Sequence, residues 1–159
     1  MNAKFTKLDK LLLAGVETFG DVESGGPPEM WEVLRSNYLE APDRINDPVS
    51  YGIDTYTKEM QSKGKWFYMA AFQVSSFENL PMQMSAKLLP ENEYAVFEYK
   101  GAISPKLGNL FQSIYKEWLP QSGYVQAGPY DLERYDQRFL GPQNPDSILE
   151  ILIPVVKEK

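Results

Sequence analysis

Cysteine and histidine are both absent from the 159-residue sequence, and those two gaps remove whole classes of chemistry. Without Cys there is no disulfide, no thiol nucleophile and no thiolate metal site. Without His, neither a Ser-His-Asp triad nor a histidine-ligated zinc can be assembled in the usual way. No cofactor and no metal are expected, and any catalysis would fall to carboxylates, Tyr, Lys or Ser. Long apolar runs are missing too. Leu11 to Val16 is too short for a signal-peptide core or a membrane span, and acids follow it. Clustered basic charge is the third absence. A net charge of -6 with no gathered Lys and Arg argues against direct nucleic-acid binding, which needs cations on one face. The expectation is a soluble cytoplasmic protein without membrane contact, one that tolerates a cationic ligand.

What is present is aromatic. Phe, Trp and Tyr make up 13% of the chain and ten of them are Tyr, a residue that pairs a large apolar face with a polar tip. The length suits one domain, residues 1–159. A strand signal runs over residues 4–18. Pro27-Pro28-Glu29 begin a helix whose apolar positions Met30, Trp31, Leu34 and Tyr38 follow at helical spacing until Pro42. Residues 51–56 read as a strand, residues 62–65 as a turn, and Trp66 to Ser75 as a strong strand apolar on both faces, which must be covered twice. A further strand spans residues 94–101. Ser104-Pro105 then cap and open a second helix with the stripe Leu107, Leu110, Phe111, Ile114, Tyr115 and Trp118, stopped by Pro120 and Gly123. Two strands close the chain, one within Gly128–Asp136 and one over Ile148–Val156.

The order strand, helix, strand, strand therefore occurs twice. Met30, Trp31, Leu34 and Tyr38 precede Leu110, Phe111, Ile114 and Trp118 by 80 positions (110−30, 118−38), and Asp54-Thr55-Tyr56 precedes Glu133-Arg134-Tyr135 by 79 (133−54). We read an α+β fold made of a tandem βαββ duplication with pseudo-twofold symmetry, repeat one over about residues 4–80 and repeat two over about 90–159. The most informative stretch is Asp131–Asp136. Alternation puts Asp131, Glu133 and Tyr135 on one face, and that face is either wet or lines a cavity where a carboxylate meets a cation.

Residues 94–101 (YAVFEYKG), Ile114-Tyr115 with Trp118-Leu119-Pro120 and Gly123-Tyr124, then Glu133-Arg134-Tyr135 and Ile151-Leu152-Ile153-Pro154-Val155 resemble the GyrI-like small-molecule-binding domain. That module is the effector-binding domain of AraC-type and MerR-type multidrug-responsive regulators. No helix-turn-helix precedes it in this sequence, so a stand-alone member is expected. The resemblance implies a curved antiparallel sheet with two main helices around a central ligand groove, an acid in the groove at Glu133, and Tyr135 lining it. It also implies lipophilic organic cations as ligands. Some stand-alone relatives resemble hydrolases of electrophilic natural products, and the founding member is associated with inhibition of DNA gyrase.

Each candidate has a plainer alternative. A strand carboxylate such as Glu133 is commonly solvated and paired, here with Arg134, Arg138 or a lysine; in a groove it would be costly unpaired, and an incoming cation would offset that cost. Trp118, Tyr115 and Phe111 on the helix stripe, and Trp66, Tyr68 and Phe72 on one strand face, are either core or ligand-lining. Asp54 defaults to solvent. The reading is a small-molecule-binding protein whose ligand site comprises Glu133, Tyr135, Trp118, Tyr115, Phe111, Trp66, Tyr68 and Phe72. The alternatives are a hydrolase of electrophilic small molecules with Glu133 as general base and a protein-partner modulator such as a gyrase inhibitor; a regulator or other protein partner is also expected.

Overall fold

In the computed structural model, which describes residues 1–45 and 48–159, nine strands among the described residues form one curled antiparallel sheet. They are β1 (Lys4–Leu8), β2 (Leu11–Gly20), β3 (Ser50–Thr55), β4 (Trp66–Gln73), β5 (Ser85–Leu89), β6 (Asn92–Lys100), β7 (Tyr124–Gln126), β8 (Tyr130–Tyr135) and β9 (Ile148–Lys157). Spatial order is β1-β6-β9-β8-β3-β4-β2-β5, with β7 added to β9. Helix α1 (Gly26–Asn37) follows β2, and α3 (Pro105–Ser113) follows β6; the short α2 (Lys58–Lys63) joins β3 to β4.

Strand pairing carries the duplication. Lys4 pairs with Val96, and 81 positions on Ser85 pairs with Gly15 (85−4, 96−15). Leu13–Gln73 recurs as Tyr94–Pro154 (94−13), and Tyr51–Ala71 as Leu132–Leu152 (132−51). The pair Gly52–Glu133 maps onto itself under the same shift (133−52), so the pseudo-twofold axis runs between those two residues. This corrects the 79-position match expected for Asp54 and Glu133. The equivalent of Glu133 is Gly52, and Asp54 corresponds to Tyr135. The first strand of each half pairs across, β1 beside β6 and β5 beside β2, so the two halves are laced together at both ends.

Both helices cover one face of the sheet. Beneath α1 lie Ala14, Val16, Tyr68, Ala70 and Phe72, and beneath α3 lie Ala95, Phe97, Leu149, Ile151 and Ile153. The opposite face, inside the curl, packs Leu13, Tyr51, Ile53, Met69, Tyr94, Leu132 and Leu152 against one another. That second cluster explains why β4 is apolar on both sides. Close approach of backbones is built in at Gly15, where an added Cβ would stand 1.9 Å from the Ala70 carbonyl oxygen, so no side chain fits.

Helix starts follow the expected chemistry. Ser104 caps α3 by accepting from the Lys106 N–H, with proline at the first turn. The end differs from expectation. Pro120 lacks an N–H and its ring crowds the carbonyl four residues back. The helix answers by widening into one π turn over Ile114–Trp118, where the Leu119 N–H reaches back to the Ile114 carbonyl. It continues through Pro120 as α4 (Leu119–Gln121) and ends at Gly123, φ 76°. The strand signal over residues 4–18 resolves into two strands broken at Asp9-Lys10, and the expected turn at 62–65 is the end of α2 at Gly64, φ 64°.

Candidate functional site

Three carboxylates meet where β3 and β8 pair, on the helix-bearing face and between the two helix-covered clusters. Register sets Asp54 directly opposite Asp131, and Gly52 opposite Glu133. All three are buried, with Asp54 5%, Asp131 0% and Glu133 7% exposed. Burial of this kind is expensive unless each oxygen is hydrogen-bonded or paired with a cation. Among the described residues no ion pair reaches any of the three. Arg134, one residue from Glu133, points to the other face by strand alternation and binds Glu150 at 2.9 Å; Arg138 binds Asp136 and Glu150.

The compensation comes from aromatic donors. Tyr135 and Tyr68 hydroxyls donate to Glu133 Oε1 at 2.6 and 3.3 Å. Tyr56 and Tyr115 hydroxyls both donate to Asp131 Oδ2, at 2.7 and 2.8 Å. The Trp66 indole N–H donates to Asp54 Oδ1 at 2.8 Å. A second tier fixes these rings: Trp31 donates to the Tyr68 oxygen at 2.7 Å, and Gln126 donates to the Tyr115 oxygen at 3.2 Å. Trp31 also sits edge-on to Tyr135 at 4.8 Å, and Tyr135 edge-on to Phe139 at 4.7 Å. Gly52 makes the arrangement possible. A Cβ there would lie 2.5 Å from the Tyr68 hydroxyl and 3.2 Å from the Glu133 carboxyl carbon.

Electrostatics follow from this packing. Burial, then the charges of Glu133 and Asp131, hold the Asp54 carboxyl well above its usual range. Burial also lifts Asp131, against the lowering hydrogen bonds from Asp54, Tyr56 and Tyr115, up to about 7. Burial first and the nearby carboxylates second raise the hydroxyls of Tyr56, Tyr68, Tyr115 and Tyr135, so all four remain donors at neutral pH. A shallow surface depression framed by the β2–α1 loop reaches Trp66 and Tyr68.

Of the residues singled out from sequence, Glu133, Tyr135, Tyr68, Trp66 and Tyr115 come together here. Trp118 does not join them; it packs edge-on to Phe97 at 4.9 Å and lines a separate depression with Met1, Glu117 and Gln121 that shares no residue with the carboxylates. Phe111 packs into the cluster beneath α3. Phe72 is fully buried under α1 with the Arg44 guanidinium 4.7 Å from its ring centre. Sequence reasoning passed over Asp131, Trp31 and Tyr56 and left Asp54 in solvent. Asp131 carried a legible signal, since it shares a strand face with Glu133.

A family profile described as integron-associated effector binding protein matches residues 4–155. The transcriptional regulator BrlR of Pseudomonas aeruginosa is 32% identical over 155 residues, covering 98% of this chain and 56% of that protein. The chain thus spans about half the length of that curated relative. Among solved structures, SAV2435 bound to tetraphenylphosphonium matches with a TM-score of 0.75 at 17% identity, over 98% of this chain and 94% of the other. The EcmrR C-terminal domain matches with a TM-score of 0.71 at 17% identity, over 99% and 98%. At such identities these two structures speak to the fold.

Proposed function

We propose that this chain, which belongs to the family of integron-associated effector binding proteins, binds lipophilic organic cations over the β3–β8 floor, with Glu133 as the central counter-charge. The observation that carries the reading is a set of buried carboxylates held only by tyrosine and tryptophan donors, with no basic side chain paired to them among the described residues. Such donors serve one oxygen of each carboxylate and bring no positive charge to the cluster. A cation entering between the rings supplies that charge, and each aromatic face adds attraction of about 0.5–2 kcal/mol.

Tyr135 donates to Glu133 and meets Trp31 edge to face, and in this reading the two rings swing aside to admit a ligand. The tetraphenylphosphonium carried by SAV2435 is a ligand of the chemistry proposed, and the similarity to the transcriptional regulator BrlR is compatible with a role in regulation. Titration with tetraphenylphosphonium and with a neutral analogue of the same size, followed by tryptophan fluorescence, tests the reading. Saturable binding of the cation and none of the neutral compound is expected; preference for the neutral compound would overturn it. Recovery of an electrophilic ligand unchanged after incubation separates binding from hydrolysis by Glu133.

A further inference from the structure

Among the described residues, two oxygens in the cluster have no tyrosine, tryptophan or backbone donor. They are the buried Asp54 Oδ2 and Asp131 Oδ1, on side chains that face each other across the β3–β8 register. Their sister oxygens are saturated, Asp54 Oδ1 by Trp66 and Asp131 Oδ2 by Tyr56 and Tyr115. The hydrogen bonds left to these two side chains run among the carboxylates themselves, Asp54 with Glu133 and with Asp131, and such a bond forms only where one partner carries a proton, so the cluster holds one, as close acid groups do. A quaternary onium has no polar hydrogen to offer them. An amidinium or ammonium has several, and its planar or pyramidal N–H groups suit paired carboxylate oxygens.

We propose that the Asp54–Asp131 pair is a second subsite, beside Glu133, that takes the N–H groups of a lipophilic amidinium or ammonium in exchange for the proton the pair holds. On binding, one carboxyl O–H bond breaks, the proton leaves to solvent, and two N–H···O hydrogen bonds form to Asp54 Oδ2 and Asp131 Oδ1. The groups facing the pair are Glu133 on β8, Trp66 and Tyr68 on β4, Tyr56 after β3 and Tyr115 in the π turn. The three tyrosines keep their protons at neutral pH and none of these groups is a cation, so among the described residues none of them competes with a bound cation for the vacated charge. The inference rests on the reading of this face as a cation site and adds a choice among cations: N–H-bearing over quaternary.

The test compares a biphenyl amidinium with a biphenyl trimethylammonium, and with tetraphenylphosphonium, by calorimetry at neutral pH in two buffers of different ionisation enthalpy. The amidinium is expected to bind at least about tenfold more tightly than the trimethylammonium and to release about one proton, while the quaternary cations release few. Asp54→Asn, checked for folding by its thermal transition, is expected to abolish both the proton release and the amidinium advantage. Equal affinities for the two biphenyl cations without proton release would overturn this inference and leave the cation site standing. Failure of all three cations to bind would overturn the site itself. The proton count in the wild-type protein decides the matter even if the variant does not fold.

Discussion

Asp131→Asn is expected to stabilise the protein in mild alkali, although it alters a side chain that accepts two hydrogen bonds. Burial raises Asp131 to about 7 from an ordinary 3.8. Between those values the folded chain holds a proton that the unfolded chain has released. The contribution of this carboxyl is fully present below about pH 4 and is lost as pH rises through about 7, at roughly 1.4 kcal/mol per pH unit. From about pH 5 to pH 8 that is a loss of about 3 kcal/mol from one group. Asparagine keeps an oxygen for Tyr56 and Tyr115, offers an N–H to Asp54 Oδ2, and has no charge to bury. Urea denaturation at several pH values between 5 and 8, with the slope against urea checked for constancy, reads the difference. The variant should lose less stability across the range and exceed the wild type at its upper end. A wild type whose stability climbs with pH there, or a variant with the same pH slope, would refute the reasoning.

Two further outcomes follow from the same packing. Gly52→Ala drives a methyl to within 2.5 Å of the Tyr68 hydroxyl; it should cost about 1–3 kcal/mol by overpacking and weaken cation binding, and adding Tyr68→Phe should recover part of the stability in a denaturation series. In fluorescence titrations with tetraphenylphosphonium, Trp118→Phe should leave the ligand-induced change in place and Trp31→Phe should reduce it, because of these two tryptophans it is Trp31 that hydrogen-bonds to the Tyr68–Glu133 pair; the reverse pattern would place the ligand beneath α3.

Much of the framework was readable from periodicity. Both main helices, their proline starts and the long strands carry strong patterns, and the duplication shows in the order of elements. The elements passed over are short: α2, β5 and the three-residue β7, whose mixed composition gives no period to detect. The register error has a sharper cause. A two-residue slip leaves every side chain on its own face, so alternation cannot distinguish a shift of 79 from one of 81, and only strand pairing reveals that Asp54 meets Asp131. That slip hid the carboxylate pair. Glu133 and Tyr135 were legible through their shared face and the family resemblance, and Trp66 and Tyr68 through the apolar face of β4. Trp118 and Phe111 show the limit of that approach, since a helix stripe marks what is covered and not what covers it.

The central claim is that Glu133 supplies the charge that selects cations. Its most direct test is the ratio of tetraphenylphosphonium affinities of the wild type and Glu133→Gln, a change that keeps the size of the side chain and an oxygen for Tyr68 and Tyr135. The account predicts a loss of at least about tenfold, the scale of one charge-assisted contact of about 1.4 kcal/mol or more, with folding intact. Equal affinity in the two proteins would contradict it.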